Sequence, residues 1–419
     1  METQIVFKKV KIVDPGGSFD RKTVDVKIID GVITEIGKDL DATSCLILNK
    51  KSSYISPGWM DGQAHFMDPG NEIKEGLNRG LLAAATGGFT DVALLPSTTP
   101  PIDNKAAVAY LISRGNQTSS PCEVHPLGCL SKNRTGDHLA ELIDMADAGA
   151  IGFTDDSPID KVGLLHRALE YLRPYGDVVV SEALESDLNP GAHMHEGATS
   201  TKLGLIGSPS EAEVLRIQRD IEILTYTGGR LHIPIVSTAA GVKLIQKAKK
   251  KGLSITASTT PHHLTFIDED LSDFDGTLRV NPPLRLKSDR KALQSGVEDG
   301  TIDSIVSDHR PENIESHDVE FMLSPNGVSG IETVFPAVNT ACKNIDLGRL
   351  VDSISNATRR VFNIPEVHIE INSIAKITWF NPVTEFKHSN ISGGVNNPWA
   401  YRNLNGTVYG CVNGSKLLL

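Results

Sequence analysis

The chain has 419 residues, a length that suits one large domain together with a smaller one. Its formal net charge is −11 at pH 7 and it has no long run of lysine or arginine, which argues against nucleic acid or an anionic membrane as the main partner. No stretch approaches the roughly 18 uncharged apolar residues that a bilayer-spanning helix needs, so we expect no membrane-spanning segment.

Both ends of the sequence have the pattern of β-strands. Residues 4–50 contain "QIVFKKVKIVD", "TVDVKIID", "GVITEIG" and "CLILN", separated by turns rich in proline and glycine. The C-terminal end returns to this pattern in "SIAKITWFNP" and "GTVYGCVNGSKLLL". Because each part is too short for a domain of its own, we expect residues 1–54 and 366–419 to pair into one small β-sandwich domain.

Between these ends, short apolar runs alternate with segments of helical periodicity. Eight such runs occur: "SPGWMDGQAHF", "TDVALLP", "EVHPLGC", "AIGFTDD", "DVVVSEA", "LHIPIVST", "SITASTTPHHL" and "TIDSIVSD". Eight strand–helix units predict an α/β fold, a closed (β/α)8 TIM barrel over residues 55–365. The alternative is an open Rossmann-like sheet, which is less favoured because no Gly-x-Gly-x-x-Gly follows any of the runs.

Five cysteines are scattered through the chain without Cys-x-x-Cys spacing, at Cys45, Cys122, Cys129, Cys342 and Cys411. An odd number at irregular spacing favours reduced thiols in a cytoplasmic protein over a disulfide framework. The first residues alternate like a strand and lack the apolar core of a signal peptide, which agrees with that expectation.

Polar residues follow several of the predicted strands, at the end of a barrel where function resides. They are His65 and Asp68 after the first run, Asp155 and Asp156 after the fourth, Glu182 and Glu185 after the fifth, and Asp308, His309 and Arg310 after the eighth. A single polar loop residue is usually a surface group, but their joint occurrence predicts a site. At the first strand, a His-x-His pair would make a metal site, yet the chain has Gln63 before His65.

Seven motifs resemble, in order and spacing, those of the dihydroorotases of the amidohydrolase superfamily. They are "DGQAHFMDPG", "AAATGGFTDVALLPSTTPPID", "GFTDD", "TTPHHL", "NPPLR", "GTIDSIVSDHRP" and "SPNGVSGIET". The resemblance covers residues 50–340 and is greatest to the long form, in which both termini build a β-sandwich. It implies a barrel that holds zinc at its mouth and opens or closes the cyclic amide of dihydroorotate.

The resemblance also implies a set of metal ligands, which this chain matches only in part. His65, Asp155 and Asp308 match ligands, and Asp308 is also the position of the general base, whereas Gln63, Glu182 and Ile235 stand where the family has histidines. A slip of one residue would put Ser181 at the position of Glu182. Zinc favours imidazole or thiolate, so we expect no dinuclear zinc centre. At most one weakly held divalent ion would bind to His65, Asp155, Asp308 and Glu182, an oxygen-rich set that suits magnesium or manganese.

The substrate positions implied by the resemblance are changed as well. Met67 replaces the arginine that grips the substrate carboxylate, and Ser97 replaces an asparagine. Asn281, in "NPPLR", is either a remnant of a substrate contact or a structural residue, and we favour the second interpretation. Without a metal, at least one of the mouth carboxyls should stay protonated. Arg310 either supplies a guanidinium in place of the cation or points to solvent, and the sequence leaves both open.

Three functions remain. The first is a non-catalytic dihydroorotase-like protein of pyrimidine biosynthesis, a pseudoenzyme kept for assembly, with aspartate transcarbamoylase as the partner that the resemblance implies and a homodimer as the minimal assembly. The second is an active cyclic amidohydrolase that interconverts dihydroorotate and N-carbamoyl-aspartate with one atypical metal ion. The third is a small-molecule binding module that uses the barrel mouth as its pocket. The site residues favour the first.

Overall fold

The computed structural model describes residues 4–188 and 190–419. In chain order, the strands are β1 (Gln4–Ile12), β2 (Thr23–Ile29), β3 (Val32–Gly37), β4 (Leu46–Leu48), β5 (Tyr54–Pro57), β6 (Trp59–Ala64), β7 (Phe89–Leu94), β8 (Glu123–Pro126), β9 (Val178–Val180), β10 (Met194–His195), β11 (Gly207–Ser208), β12 (Arg230–Ile233), β13 (Ile255–Thr259), β14 (Ser304–Ile305), β15 (Lys376–Glu385), β16 (Asn405–Asn413) and β17 (Lys416–Leu418).

The α-helices are α1 (Leu77–Thr86), α2 (Lys105–Asn116), α3 (Leu142–Asp147), α4 (Val162–Leu172), α5 (Ala198–Leu203), α6 (Glu211–Thr227), α7 (Ala239–Lys250), α8 (Pro261–Thr265), α9 (Lys287–Asp299), α10 (Ile314–His317), α11 (Val334–Ala341), α12 (Leu347–Ser353) and α13 (Asn356–Val361). Local sequence explains their ends. The Thr238 side chain, for example, accepts the backbone N–H of Gly241 at the start of α7. Gly252, with φ of 80°, follows its last lysines in a turn that favours glycine.

The two ends of the chain meet in one eight-stranded sheet. Its order is β17-β16-β15-β5-β1-β2-β3, with β4 paired to β1. Strand β15 joins the ends by pairing antiparallel to β5, where Trp379 lies opposite Ile55. Alternate side chains of these strands are buried in a core of their own, in which the rings of Phe7 and Trp379 meet edge to face with centroids 5.7 Å apart.

The middle of the chain forms a closed ring of parallel segments. Strands β6-β7-β8 form one part and β9-β12-β13-β14 the other. Phe153 bridges them by pairing with Gly128 on one side and Val179 on the other. The ring closes where Ala64 pairs with His309, and the backbone N–H of His65 donates to the carbonyl of His309 at an N···O distance of 2.8 Å.

The strands of this ring are continuous apolar runs because both of their faces are buried. All six residues of β7 and all three of β9 are buried. The closed barrel with a small β domain from both termini confirms the predicted fold class, and the open Rossmann-like alternative is wrong. The domain boundaries at 1–54, 55–365 and 366–419 stay a prediction. In the structure, β5 ends at Pro57 in the terminal sheet and β6 begins the barrel at Trp59.

Two expectations from composition concern the whole chain. Within residues 4–188 and 190–419, no helix is long and apolar enough to cross a membrane. The five cysteines are all free thiols, four of them buried and Cys45 partly exposed, as predicted.

A buried charge cluster joins the barrel to the terminal sheet at the end opposite the mouth. Asp91 on β7 accepts from Arg359 of α13, and Lys376 Nζ of β15 lies 2.8 Å from its Oδ1. His125 Nε2 lies 2.9 Å from the same oxygen, and Lys376 also binds Glu123 at 2.9 Å. Asp91, Glu123 and His125 lie close enough together to hold a metal ion. Arg359 and Lys376, however, already supply two positive charges there, so we interpret the cluster as an ion-pair network.

We expect Asp91→Asn to destabilise the fold by about 3–5 kcal/mol, because the buried Arg359 loses its counter-ion. Burial alone would raise the pKa of Asp91, but Arg359, Lys376 and His125 outweigh it and hold that pKa well below its ordinary value of 3.8. A carboxylate with a lowered pKa stabilises the fold above its unfolded pKa and loses this contribution as pH falls below it.

Denaturant unfolding measured at several pH values tests this expectation. The unmodified protein should lose stability below about pH 4 more steeply than the Asp91→Asn variant. Glu123→Gln is the control, since half of the Glu123 side chain is exposed and its pair with Lys376 is worth at most about 1 kcal/mol. Equal stabilities for Asp91→Asn and Glu123→Gln would contradict the assignment.

Candidate functional site

The mouth of the barrel contains a polar cavity of about 270 Å³. It is lined by Asp156, Ser157, Pro158, Glu182, Asn281, Asp308, Arg310, Asn326 and Gly327. Most of these residues follow the ends of barrel strands, because parallel strands bring their carboxyl ends to the same side of the barrel. Of the polar residues predicted at the strand ends, four line this cavity together: Asp156, Glu182, Asp308 and Arg310.

Arg310 lies at the centre of this cluster and does not point to solvent. Its Nη1 and Nη2 donate to the two carboxylate oxygens of Asp156 at 3.0 and 2.6 Å. Its Nε donates to Asp308 Oδ1 at 3.0 Å. Burial by itself would raise the pKa of Asp156, but the charge of Arg310 outweighs burial and lowers it. For Asp308 burial outweighs the same guanidinium, so its pKa is raised.

Hydrogen bonds from uncharged donors connect this cluster to the first two barrel strands. Gln63 Nε2 donates to Asp308 Oδ1 at 3.0 Å. On the other side, the Ser97 hydroxyl donates to Asp156. The Ser97 carbonyl in turn lies 3.0 Å from His65 Nε2, and His65 Nδ1 accepts the backbone N–H of Met67 at 2.9 Å. Both ring nitrogens of His65 are thus engaged within the protein.

The aspartate that faces Asp308 is Asp156, whereas the family resemblance predicts its neighbour Asp155 as the ligand. Asp155 points away from the cavity, where its carboxylate accepts the backbone N–H and the hydroxyl of Ser131 at 2.8 and 2.5 Å. Burial raises the pKa of Asp155 despite these bonds. The physical reason is the turn of the backbone after the fourth segment, where Asp156 has a left-handed φ of 48°. The Asp-Asp pair was visible in the sequence, but which member points inward was not.

Glu182 and Ile235 occupy the side of the mouth formed by the fifth and sixth strands. Both line a small second cavity with Asn281. Burial, followed by the charge of Asp156, raises the pKa of Glu182 to about 8, so its carboxyl is mostly protonated at neutral pH. The possible slip to Ser181 does not occur, since Ser181 donates to the buried Asp220 at 2.7 Å.

Four residues at this mouth have a strained backbone conformation. Met67, Asp156, Ile235 and Asp308 all have φ between 45° and 58°, a left-handed conformation that is unfavourable for side chains other than glycine. It is most unfavourable for the β-branched Ile235. Such strain persists only where the surrounding structure enforces it, and it is typical of binding and catalytic sites.

The residues present do not fit the zinc centre that the family resemblance implies. Ile235 has no ligand atom, and Gln63 directs its amide nitrogen at Asp308. The nitrogens of His65 are engaged, and a guanidinium lies between Asp156 and Asp308. A positively charged side chain and a metal ion would repel each other at this distance.

Of the three predicted substrate positions, Asn281 lines the cavity, whereas Ser97 and Met67 are not part of its lining. Ser97 is part of the hydrogen-bond chain described above, and Met67 contributes its backbone N–H to His65. Neither supplies a positive charge for a carboxylate.

The motifs "PHHL" and "NPPLR" make bonds that hold the loops in place. His263 Nδ1 lies 2.8 Å from the Thr260 hydroxyl and its Nε2 lies 2.9 Å from the Pro282 carbonyl. Arg285 is buried and donates to the Ser208 carbonyl at 2.7 Å. These bonds support a structural role for both motifs.

Four residues of the cavity lining are not among the predicted site residues: Ser157, Pro158, Asn326 and Gly327. Asn326 and Gly327 lie in "SPNGVSGIET", one of the motifs that carry the family resemblance, so position within a motif was the available signal for these two. The Asn396 side chain donates to the backbone carbonyls of Arg310 and Gly327 at 2.8 and 3.0 Å. No local pattern marks Asn396, because its partners lie far away in the chain.

We expect Glu182→Gln to make the protein more stable than the unmodified chain as pH rises. The pKa of Glu182 is raised from 4.5 to about 8 in the folded state. Its stabilising protonation is therefore fully present below about pH 4.5 and is lost as pH rises towards 8. Glutamine has no proton to lose and keeps an N–H donor for Asp156.

Melting temperatures measured across this pH range test the expectation. The difference between Glu182→Gln and the unmodified protein should grow with pH, while the control Asp187→Asn, an exposed acid on the same segment, should follow the unmodified protein. Parallel pH curves for Glu182→Gln and the unmodified protein would contradict the assignment.

Comparisons with known proteins agree with the motifs. Residues 53–240 match the family model described as Dihydro-orotase-like. The chain is 37% identical over 423 residues to a dihydroorotase from Acetivibrio thermocellus, covering 98% of each chain. It is also 37% identical over 426 residues to a dihydroorotase from Pelotomaculum thermopropionicum, covering 99% of this chain and 98% of that one.

Among solved structures, the fold is similar to that of the L-hydantoinase (dihydropyrimidinase) from Arthrobacter aurescens. The TM-score is 0.82 at 21% identity, over 100% of this chain and 98% of that one. A D-hydantoinase structure matches with a TM-score of 0.84 at 20% identity, over 99% of this chain and 95% of the other. At this identity the two structures establish the fold alone. The sequence relatives are more similar and span nearly the whole chain, and on their evidence the chain belongs to the dihydroorotase family.

Proposed function

We propose that this chain is a non-catalytic dihydroorotase-family protein of pyrimidine biosynthesis, located in the cytoplasm and retained for assembly with another enzyme. The observation that carries the proposal is the position of Arg310, whose guanidinium binds both Asp156 and Asp308 at the barrel mouth. The family resemblance implies metal chemistry at this place, and the side chains here satisfy one another instead.

The position of the general base supports the same proposal. Asp308 Oδ1 accepts from both Arg310 Nε and Gln63 Nε2, each at 3.0 Å. That oxygen already accepts two hydrogen bonds from the protein, so it is not free to accept one from a nucleophilic water, which a general base must do. Hydrolysis of an amide also needs stabilisation of the developing negative charge, and the Arg310 guanidinium is already committed to two carboxylates.

Substrate binding gives a second, independent line of support. The charged end of dihydroorotate needs a positive partner, and a bidentate arginine–carboxylate contact is typically worth a few kcal/mol, on the order of 1.5–3. Met67 stands where the resemblance implies that arginine. The only guanidinium that lines the described cavity belongs to Arg310, and both of its Nη atoms are bound to Asp156.

A specific observation favours a different function, an active cyclic amidohydrolase with a single atypical metal ion. Relatives that match this chain over nearly its full length carry the name dihydroorotase. These names favour the active alternative over the non-catalytic proposal, whereas the side-chain contacts at the mouth favour the proposal. Turnover and metal content distinguish the two.

We expect no turnover of dihydroorotate above that of buffer, and no bound zinc after dialysis. The Gln63→His variant should also be inactive, because Ile235, Met67 and Arg310 remain. The assay is ultraviolet detection of ring opening in both directions, with elemental analysis of the same sample and a catalytically active dihydroorotase as the positive control. A measurable kcat for the unmodified chain, with one metal ion bound, would establish the active alternative.

The second half of the proposal, assembly, is supported by what the chain retains. The barrel and the terminal sheet both have complete buried cores, and the departures from the family pattern lie at the mouth. We infer that a chain that keeps both cores while its mouth does not fit a metal centre is retained for an interface. We propose aspartate transcarbamoylase as the partner, with a homodimer as the minimal assembly.

Light scattering and a pull-down with the aspartate transcarbamoylase of the same organism test the assembly. We expect a complex whose interface buries well over roughly 1,000 Å², as stable protein interfaces do. The control is an unrelated transcarbamoylase at the same concentration. If no complex forms and deletion of the gene leaves the transcarbamoylase unchanged, the assembly function is wrong, and a small-molecule role for the 270 Å³ mouth cavity becomes the better hypothesis.

A further inference from the structure

The barrel mouth brings two nearly buried aspartates together around one positive charge. The side chains of Asp156 and Asp308 are 2% and 3% exposed, and that of Arg310 is 23% exposed. The guanidinium uses three of its N–H groups on them, two on Asp156 in a bidentate contact and one on Asp308. The partly buried Glu182 completes the acidic wall of the same cavity.

Carboxylates in such a position require a cation. Removing an ionised carboxylate from water costs several kcal/mol unless a paired positive charge offsets the loss of hydration. The other donors described above, Gln63 Nε2 to Asp308 and Ser97 Oγ to Asp156, are neutral. Arg310 is therefore the group that compensates both charges.

The same contacts also tie the mouth together. Arg310 follows the eighth strand, Asp156 follows the fourth segment, and Gln63 and Ser97 belong to the ends of the first and second strands. The guanidinium binds two carboxylates, and these in turn accept from Gln63 and Ser97, so that one network connects four parts of the ring. In a metalloprotein a metal ion often performs this cross-linking by binding ligands from several strands.

We propose that Arg310 is the resident cation of this cluster, a covalently attached replacement for a metal ion that keeps divalent metal out of the mouth. Without the guanidinium, Asp156, Glu182 and Asp308, together with the amide oxygen of Gln63, would form an oxygen-rich site. Such a set suits one magnesium or manganese ion and not zinc. The inference deepens the proposed function and rests on it, because it names what occupies the mouth in place of the catalytic metal.

The test removes the guanidinium and measures metal binding directly. Arg310→Met keeps an unbranched apolar stem without the charge, and Arg310→Lys keeps the charge without the bidentate geometry. The matched control is Arg134→Met. Arg134 is a second arginine at this mouth, and it donates to the backbone carbonyls of Asp155 and Asp156 instead of to the carboxylates. Each protein is dialysed against EDTA and then titrated with Mn²⁺ by calorimetry, with melting curves recorded with and without the ion.

We expect Arg310→Met to melt at a lower temperature than the unmodified protein in EDTA. It should bind one Mn²⁺ per chain with a Kd at least about tenfold below the highest Mn²⁺ concentration at which the unmodified protein shows no saturation, and its melting temperature should rise when the ion binds. The unmodified protein and Arg134→Met should show no saturable binding. Arg310→Lys should melt at an intermediate temperature and bind no ion. If Arg310→Met does not fold in EDTA, its folded yield after refolding with Mn²⁺ or with EDTA is compared, and a higher yield with Mn²⁺ is expected.

Several outcomes would overturn the inference. Saturable Mn²⁺ binding by the unmodified protein would mean that the guanidinium does not exclude metal. A folded Arg310→Met variant without Mn²⁺ binding, or equal refolding yields in Mn²⁺ and EDTA, would mean that the carboxylates are not a cation site. None of these three outcomes depends on whether the protein turns over dihydroorotate. Turnover by an unmodified protein that binds no metal would overturn the proposed function and leave the inference about Arg310 intact.

Discussion

The bidentate ion pair between Arg310 and Asp156 is the contact on which the arrangement of the barrel mouth depends. Arg310 also donates to Asp308, which accepts from Gln63 as well. On the other side Asp156 accepts from Ser97, whose carbonyl contacts His65. A low-dielectric environment strengthens such a pair and makes the loss of either partner costly. The same contact sets the protonation of its neighbour, because the charge of Asp156 contributes to the raised pKa of Glu182.

A second buried carboxylate is paired with cationic side chains at the opposite end of the barrel. There Asp91 is buried between Arg359 and Lys376, and Lys376 belongs to the terminal sheet. Both clusters place a carboxylate of the barrel against a cation from a different part of the chain. The cluster around Asp91 joins two sheets through Arg359 and Lys376, and we interpret its role as stability. The cluster around Arg310 faces an open cavity of about 270 Å³, where the family resemblance implies chemistry.

These two clusters and the buried cores explain how a chain can belong to the dihydroorotase family by sequence while the side chains at its barrel mouth do not fit a zinc centre. The buried cores of the barrel and of the terminal sheet determine the fold, and they tolerate changes at strand ends that face the cavity. Chemistry depends on a few side chains at those ends, and their exchange leaves the scaffold unchanged. Family membership therefore fixes the architecture, while function has to be argued from Arg310, Asp156 and Asp308.

The sequence by itself determined the barrel, because a period of two in strands and of 3.6 in helices follows directly from backbone geometry. Given the positions that the family resemblance implies, it also determined that Ile235 cannot bind a metal and that Met67 cannot pair with a carboxylate, because neither side chain has the necessary atoms in any conformation. Only the tertiary structure decided which of Asp155 and Asp156 faces the mouth, and that Glu182 rather than Ser181 does so. It alone decided that Arg310 turns inward. The physical reason is that these outcomes depend on one left-handed backbone angle and on partners more than 150 residues away, such as Asp156 for Arg310. Local sequence patterns carry no information on either.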